Sequence, residues 1–588
     1  MVNKLYHIFV EKIKKHNVIA WFWRGLMGNV ISLGNQSFES IRESGSFYID
    51  KTHFIKEWWE NRDVVTLVTR PRRFGKTLNL SMAECFFSNQ YAGRGSLFEG
   101  LSIWEDEEYQ HMQGSYPVIF VSFAGIKADN YKEAREGIVN VIIDLYIKYS
   151  FLIQGDLLDA KEKEYFRFIS PEMADSVIAL SLHRLAMCME RYYGKKVIIL
   201  LDEYDTPLQE AYVYGYWDKM VLLVRSLFNY TFKTNPYLER GLLTGITRVS
   251  KESIFSDLNN LEVVTTTSKK YCTSFGFTEK EVFNALEERG LSLEKEEVKH
   301  WYDGFVFGNV ADIYNPWSIT KFLDSGEYGT YWADTSSNKL VSGLIMAGTP
   351  KMKMQMEDLL AGECLETDLD EQVVFEQLGN AEGAIWSLLV ASGYLKPLSR
   401  YLNHNSGKFH YKLEVTNYET SLMFRNMVSS WFPEYLISYN GFKEELLAGD
   451  LDYMNQFIND ISEEMFSSFD TGNKPSEKAQ PERFYHGFVL GLIVDLADRY
   501  YIRSNRQSGF GKYDVMMEPK NNFDDAIIME FKVFNPRKEK SLEDTAEGAL
   551  KQIFEKNYDA ELLSHGIIKD RIRHYGFAFK GKEVLIKQ

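Results

Sequence analysis

The sequence predicts an α/β protein of several domains: a mainly parallel sheet in the N-terminal part, a helix-rich middle, and a second, smaller α/β unit at the C-terminus. Three observations lead there. Four short apolar runs, VVTLVT (64–69), PVIFVSF (117–123), VIILLDE (197–203) and GLLTGIT (241–247), are separated by stretches with room for helices, the pattern of strands buried on both faces. From residue 271 the period becomes mostly helical, as in EKEVFNALEERG and PWSITKFL. After the polar stretch DTGNKPSEKAQPE (470–482) a compact strand–helix alternation resumes.

Each segment follows from local chemistry. Residues 1–33 read as an N-terminal extension, since a second methionine, Met27, opens the text GNVISLGNQSF. Residues 34–270 hold the four buried runs and form the first α/β domain. Residues 271–350 read as a helical lid. Residues 351–469 read as helical and winged-helix-like, because AIWSLLVASGYLKPL runs into the β-like KFHYKLEV. Residues 470–481, with two prolines and no apolar period, read as a linker. Residues 482–588 are the final α/β unit.

Composition narrows the class. The 588 residues are 45% hydrophobic and 26% charged, with 35 Tyr and 40 Phe, the balance of a globular chain with large cores. The net charge of −16 does not advertise a nucleic-acid binder over the whole surface, yet residues 481–588 carry 18 Lys+Arg against 17 Asp+Glu. An acidic polymer is repelled least there. The four cysteines are scattered and form no CxxC or Cys/His cluster, so neither zinc nor a disulfide framework is expected, and a cytoplasmic location is the simple reading. No apolar window is long enough to span a membrane, and VIAWFW (18–23) is too short for a signal core.

Two stretches carry chemistry. TRPRRFGKTLNLS (69–81) joins a β run to a helix. Its Gly75-Lys76-Thr77 matches the end of a P-loop, where backbone N–H groups and a helix N-terminus hold phosphates, Lys76 reaches the β/γ-phosphates, and the Thr77 hydroxyl serves Mg²⁺. Arg70 stands where the general pattern has its first glycine. The acid-tipped run VIILLDE supplies the partner, with Asp202 beside the metal and Glu203 placed to activate water. Arg248, after GLLTGIT, is a candidate γ-phosphate contact, with a surface arginine as the alternative. Arg70, Arg72 and Arg73 add positive charge. Tyr48, Asp50 and Lys51 lie where the chain could cover the base, though they suit a turn better.

The second stretch is AIIMEFKVF (526–534). Glu530 and Lys532 interrupt a run fit for a buried strand, and at i and i+2 they share one face while Phe531 takes the other. Asp514 opens another β run, and the short connection Asn521–Asp524 would let the two pair as a hairpin that sets Asp514 beside Glu530. Two carboxylates and an ammonium compensate one another if Mg²⁺ sits between the acids, an arrangement that suits phosphodiester hydrolysis. The alternative is an Asp–Lys–Glu network without metal. Glu482 is a candidate third acid, Gln552 and Tyr558 candidate neighbours on a following helix, and Lys551 a candidate phosphate contact.

GNQSFESIRESGSFYIDKT, TRPRRFGKTLNLSM, LLDEYDTPL, LLTGITRVSKESIFSDLNNL, WYDGFVFG and IYNPWSI together resemble the bacterial AAA-ATPase-like family, usually fused to a C-terminal PD-(D/E)XK nuclease-like domain. ERFYHGFVLGL, SGFGKYDVMMEP, AIIMEFKV and ALKQI resemble that second half. The resemblance runs from about Gly34 to the C-terminus. It implies that Gly75, Lys76 and Thr77 are the Walker A residues and Asp202 and Glu203 the Walker B pair, with RPRRFGKT as the family's own form of the loop. It implies a nuclease core of Asp514, Glu530 and Lys532, with Glu482 and Gln552 accessory. ATP and Mg²⁺ are the expected cofactors and DNA the expected partner of the C-terminal domain, and a homo-oligomer is compatible with this reading. Two functions compete: an ATP-dependent, metal-dependent nuclease, and a nucleotide-switched regulator whose C-terminal domain binds nucleic acid or protein without cutting.

Overall fold

The computed structural model describes residues 29–247, 254–255, 258–333, 339–346, 349–360, 362–369, 382–403, 408–429, 439–469, 493, 496, 499–504, 507–508, 511–521, 523–580 and 583–588. The chain divides into two compact units, one running to Leu340 and adding Thr367–Thr420, the other formed by Val341–Glu366 and Ser421–Gln588. The segment 351–469 is thereby shared between them, while the linker 470–481 lies outside the described residues.

The first unit is built on a five-stranded parallel sheet of β1 (Val65–Thr69), β2 (Val118–Ser122), β3 (Val197–Asp202), β4 (Leu238–Gly245) and β5 (Leu261–Val264), in the order β2-β3-β4-β1-β5. Parallel neighbours need crossovers, and the helices α1 (Lys76–Phe87), α2 (Tyr131–Lys148), α3 (Asp175–Tyr193) and α4 (Trp217–Phe232) lie in these connections. Every residue of β1 and β3 is buried, which is why both read as unbroken apolar runs. The order places β4 between β1 and β3, so both chemically marked strand ends open onto one edge of the sheet.

The region read as a helical lid also holds a three-stranded antiparallel sheet of β6 (Phe277–Thr278), β7 (Phe305–Phe307) and β8 (Val310–Tyr314). Strands of two, three and five residues are too short to betray a period in sequence. α5 (Pro316–Ser325) follows, its first turn capped by the Asn315 side chain, which accepts from the Trp317 and Ser318 N–H groups. Further along, α6 (Glu382–Ala391) leads into a hairpin of β9 (Leu395–Asn403) and β10 (Lys408–Val415), the helix-then-β-pair that the sequence suggests.

In the second unit α7 (Leu451–Phe469) precedes a mixed sheet of β11 (Tyr500–Ser504), β12 (Val515–Pro519), β13 (Ala526–Val533), β14 (Ile572–Lys580) and β15 (Glu583–Lys587), ordered β11-β12-β13-β14-β15. β12 and β13 form the expected hairpin, with Met516 opposite Ile528. β13 and β14 are the one parallel pair of this sheet, joined through α8 (Leu542–Lys556). Phe531 faces away from α8 into a core with Phe577 and Phe579, at ring distances of 4.9 and 5.9 Å.

The edge strand β15 is covered by side chains. Asn455 of α7 donates to the Ile586 carbonyl at 3.0 Å and accepts from its N–H at 2.7 Å, and Asn459 does the same for Val584 at 2.7 and 2.9 Å. One helical turn between the asparagines matches the two-residue step of the strand, so two amides satisfy the edge that would otherwise template further pairing. Replacing both by alanine is expected to destabilise the protein by about 2–4 kcal/mol and to promote aggregation, read by denaturant unfolding and light scattering.

Candidate active sites

After β1 the chain turns sharply into α1. Gly75 sits at the helix N-cap with φ of 78°, a left-handed backbone that glycine adopts without strain. Phe74 is fully buried, edge-on to Phe305 at 4.7 Å and Phe307 at 5.3 Å, and so anchors the loop to the small sheet. The Lys76 ammonium lies inside the loop, donating to the Arg70 and Pro71 carbonyls at 3.1 and 3.0 Å, with Glu203 Oε1 at 3.5 Å. Thr77 Oγ1 donates to Asp202 Oδ2 at 2.9 Å, and Thr244 Oγ1 donates to Oδ1 at 2.8 Å. Asp202 is fully buried, and burial, reinforced by Glu203, holds its carboxyl above the ordinary range. Glu203 adopts φ of 51°, a conformation other residues keep only where the surroundings hold it.

Gly75, Lys76, Thr77 and Glu203 border a cavity of about 340 Å³ reached also by Ile31, Gln36, Lys127, Phe277 and Trp317. Arg73 lines it, with its guanidinium 4.6 Å from the Trp317 ring. Arg70 does not. It is fully buried beneath the loop, stacked 4.7 Å from Phe307, and donates to the carbonyls of Thr69, Thr265 and Tyr271 at 2.9, 2.8 and 3.3 Å. The expectation that Arg70 meets phosphate is corrected accordingly: its five donors suit a cluster of strand-end carbonyls, and burial ties it there. Tyr48 and Lys51 line the cavity, Lys51 paired with Glu281 at 2.6 Å, while Asp50 accepts from the N–H groups of Thr52 and Ser102. Arg248 lies outside the described residues.

Asp205 escaped the sequence reading. It is fully buried, and its Oδ2 accepts from the N–H groups of Ile246 and Thr247 and from the Thr247 hydroxyl, at 2.9–3.0 Å. Tyr204 donates to the Thr247 carbonyl at 2.7 Å. The two residues after Glu203 therefore hold the chain just beyond β4. A Cβ on Gly245 would meet Asp205 Oδ1 at 2.7 Å, so that contact requires glycine. The run LLDEYDTPL carries this information only once the neighbouring strand is known.

In the second unit Asp514 Oδ2 accepts from the Phe531 N–H at 2.7 Å, which sets it beside Glu530. Glu530 is 3% exposed. Its Oε1 accepts from Gln552, whose amide also donates to the Tyr558 hydroxyl at 3.2 Å. Its Oε2 is buried and has no hydrogen-bond partner among the described residues. Burial first, and the nearby Asp514 charge second, push the Glu530 carboxyl up to about 8. Lys532 donates to the Gly548 carbonyl of α8 at 2.9 Å. α8 comes this close because Gly576, paired with Glu530, has no side chain: a Cβ there would meet the Ala546 carbonyl at 2.5 Å. Lys551 points away, 72% exposed and 3.5 Å from Glu555. Glu482 lies outside the described residues.

The donor set fits a hard divalent cation. A buried carboxylate oxygen without a partner, beside a second acid that opposes its ionisation, is what a cation would relieve. Among the described residues no group of three or more His, Cys, Asp and Glu gathers here; the carboxylates described at this site are those of Asp514 and Glu530.

The first unit thus has a P-loop-like α/β fold with an acid-tipped strand one place removed, across β4, and the second the mixed sheet and D…ExK arrangement of a nuclease-like fold. Residues 32–255 match the family model described as AAA-ATPase-like, "Predicted AAA-ATPase", and residues 480–588 match that of the PD-(D/E)XK nuclease superfamily. The chain joins an AAA-ATPase-like region to a PD-(D/E)XK nuclease-superfamily domain. It is also similar to an "Uncharacterized protein in vnfD 5'region" of Azotobacter chroococcum mcd 1, 27% identical over 356 residues, which are 59% of this chain and 63% of that protein.

Because Glu530 has a raised carboxyl in the folded state, the metal-free fold binds a proton that the unfolded chain has released. Its contribution is present below the ordinary glutamate range and is lost as pH rises toward about 8. In chelator, the melting temperature of wild type relative to Glu530→Gln is expected to fall between about pH 5 and 8, by the equivalent of a few kcal/mol. Thermal scans of both proteins across that range check it.

Proposed function

We propose that this protein binds and hydrolyses ATP in its first unit and cleaves phosphodiester bonds, in DNA, at a Mg²⁺-dependent site in its second. The observation that carries the reading is the convergence of Asp514, Glu530 and Lys532 on one end of β13, with a buried Glu530 oxygen that has no hydrogen-bond partner among the described residues. Bound between Asp514 and Glu530, Mg²⁺ would supply an acidified water and charge neutralisation at the phosphate. The residues do the rest. Gln552 fixes the Glu530 carboxylate, and Phe531 N–H fixes that of Asp514. Lys532, released from the Gly548 carbonyl, would orient the attacking water or offset charge on the phosphate oxygens.

In the first unit Lys76 would exchange the loop carbonyls for the β/γ-phosphates of ATP, and Thr77 and Asp202, already in hydrogen-bond contact, would hold its Mg²⁺. Glu203, 3.5 Å from the Lys76 ammonium, would deprotonate a water at the γ-phosphate. Arg73, which lines the cavity together with Arg72 and Lys127, would follow the phosphates along its wall.

Two measurements test the two halves separately. In a plasmid-nicking assay with Mg²⁺, Asp514→Ala and Glu530→Ala are expected to lose at least about 100-fold in rate; nicking at the wild-type rate by both would remove the nuclease. With a fluorescent ATP analogue, Lys76→Ala should bind at least about tenfold more weakly, whereas Glu203→Gln should bind normally and turn over about 100-fold more slowly. Unaltered affinity in Lys76→Ala would remove the P-loop reading.

A further inference from the structure

Neither candidate site accounts for the β9–β10 hairpin. Its residues 395–415 hold Lys396, Arg400, Lys408 and Lys412 against the single acid Glu414, a net of +3 on a chain of −16. The base of the hairpin is tied down: Tyr411 and Leu413 are buried, Lys396 pairs with Glu414 at 2.9 Å, and His410 pairs with Asp368 at 2.7 Å. Beyond that base the side chains are exposed and apolar, Tyr401 at 59%, Leu398 at 47%, and Leu402 and Phe409 each at 42%. β9 is an edge strand carrying Pro397 beside an irregularity in register between Pro397 and Ser399, a feature that discourages a further strand from pairing with it.

Register sorts these side chains. Tyr401 lies opposite His410, at a ring distance of 5.1 Å, and Ser399 lies opposite Lys412, so Tyr401 and Lys412 share one face. On the other face Arg400 lies 5.2 Å over the Phe409 ring. Each face therefore presents an exposed aromatic ring next to an exposed cation, and among the described residues neither Arg400 nor Lys412 has a carboxylate partner. Core packing explains neither the rings, which are outside the core, nor the charges, which are unneutralised. Exposed rings interleaved with cations are what stack on unpaired bases while tracking their phosphates.

We propose that this hairpin binds a single strand of nucleic acid, Tyr401 and Phe409 stacking on bases and Arg400 and Lys412 contacting phosphates. The proposal rests on the nuclease reading for the choice of polymer, and it gives the first unit a hold of its own on that polymer. Binding is read by fluorescence anisotropy of a short labelled oligonucleotide, single-stranded or annealed, over a salt series. The full chain carries Asp514→Asn so that the probe survives. Arg400→Ala with Lys412→Ala should weaken single-strand binding at least about tenfold at low salt and reduce the slope of log K against log salt by about 1.4, two phosphate contacts' worth. Tyr401→Ala with Phe409→Ala should weaken it by at least about tenfold through lost stacking with the slope unchanged. The duplex should bind more weakly and respond little to the aromatic pair. Unchanged ATP affinity and melting temperature would certify folding. Single-strand binding within twofold of the parent in both double variants overturns the proposal, and so does tighter, ring-dependent binding of the duplex. If wild type binds through the hairpin yet never nicks, the nuclease reading fails and this one stands; if it nicks while binding ignores the hairpin, the reverse holds.

Discussion

The first unit depends on a carboxylate that has no access to water. Burying Asp202 costs several kcal/mol unless its oxygens are met, and they are met by hydroxyls drawn from different elements: Thr77 at the start of α1, Thr244 near the end of β4 and, at 3.4 Å, Ser122 at the end of β2. One side chain at the tip of β3 thus gathers the ends of two flanking strands and the helix that follows the phosphate loop. The strand order makes this geometrically available, since β4 lies between β1 and β3. Neutral hydroxyls satisfy the lone pairs without cancelling the charge, so the site keeps an electrostatic preference for a cation. Stability and chemistry share one group here.

The same constraint reappears in the second unit with different parts. A parallel pair cannot be closed by a tight turn, so β13 and β14 require a crossover, and α8 is laid across the face that carries Glu530 and Lys532. Gly576 lets the helix settle against the strands, and Gln552 and the Gly548 carbonyl arrive where the two charges need partners. What looks in sequence like two charges spoiling a buried strand is a place where the crossover helix compensates them. The compensation is partial: the second Glu530 oxygen has no hydrogen-bond partner among the described residues.

Much of this was legible in the sequence, and the reasons are local. Strands buried on both faces appear as apolar runs, a phosphate loop needs glycine and lysine at fixed offsets, and the i, i+2 spacing of Glu530 and Lys532 fixes their common face. The β12–β13 hairpin followed from the short connection between two β runs. What escaped depends on neighbours distant in sequence. Arg70 sits in the loop motif and looks like a phosphate contact, but the carbonyls that hold it come from residues 265–271 as well as from Thr69. Asp205 is one more acid after a DE pair until β4 is seen to end beside it. Asn455 and Asn459 look like ordinary helix-surface amides, and only the sheet edge 125–131 residues away reveals their task. β5, four residues long and only partly buried, gives too little period to read.

The two lysines show how such sites hold themselves ready. Lys76 rests on two carbonyls of its own loop, and Lys532 rests on a carbonyl of the crossover helix. Each is a charge parked on neutral dipoles with a carboxylate nearby, Glu203 in one case and Glu530 in the other. A carbonyl satisfies an ammonium's donors but returns less energy than an anion does. Under the proposed function a phosphate entering either site would offer the lysine a better partner, and at Lys76, which is already out of bulk water, the difference between the two interactions would become binding energy rather than being lost to desolvation. The cost of that desolvation was met during folding, by the same backbone groups that the ligand displaces.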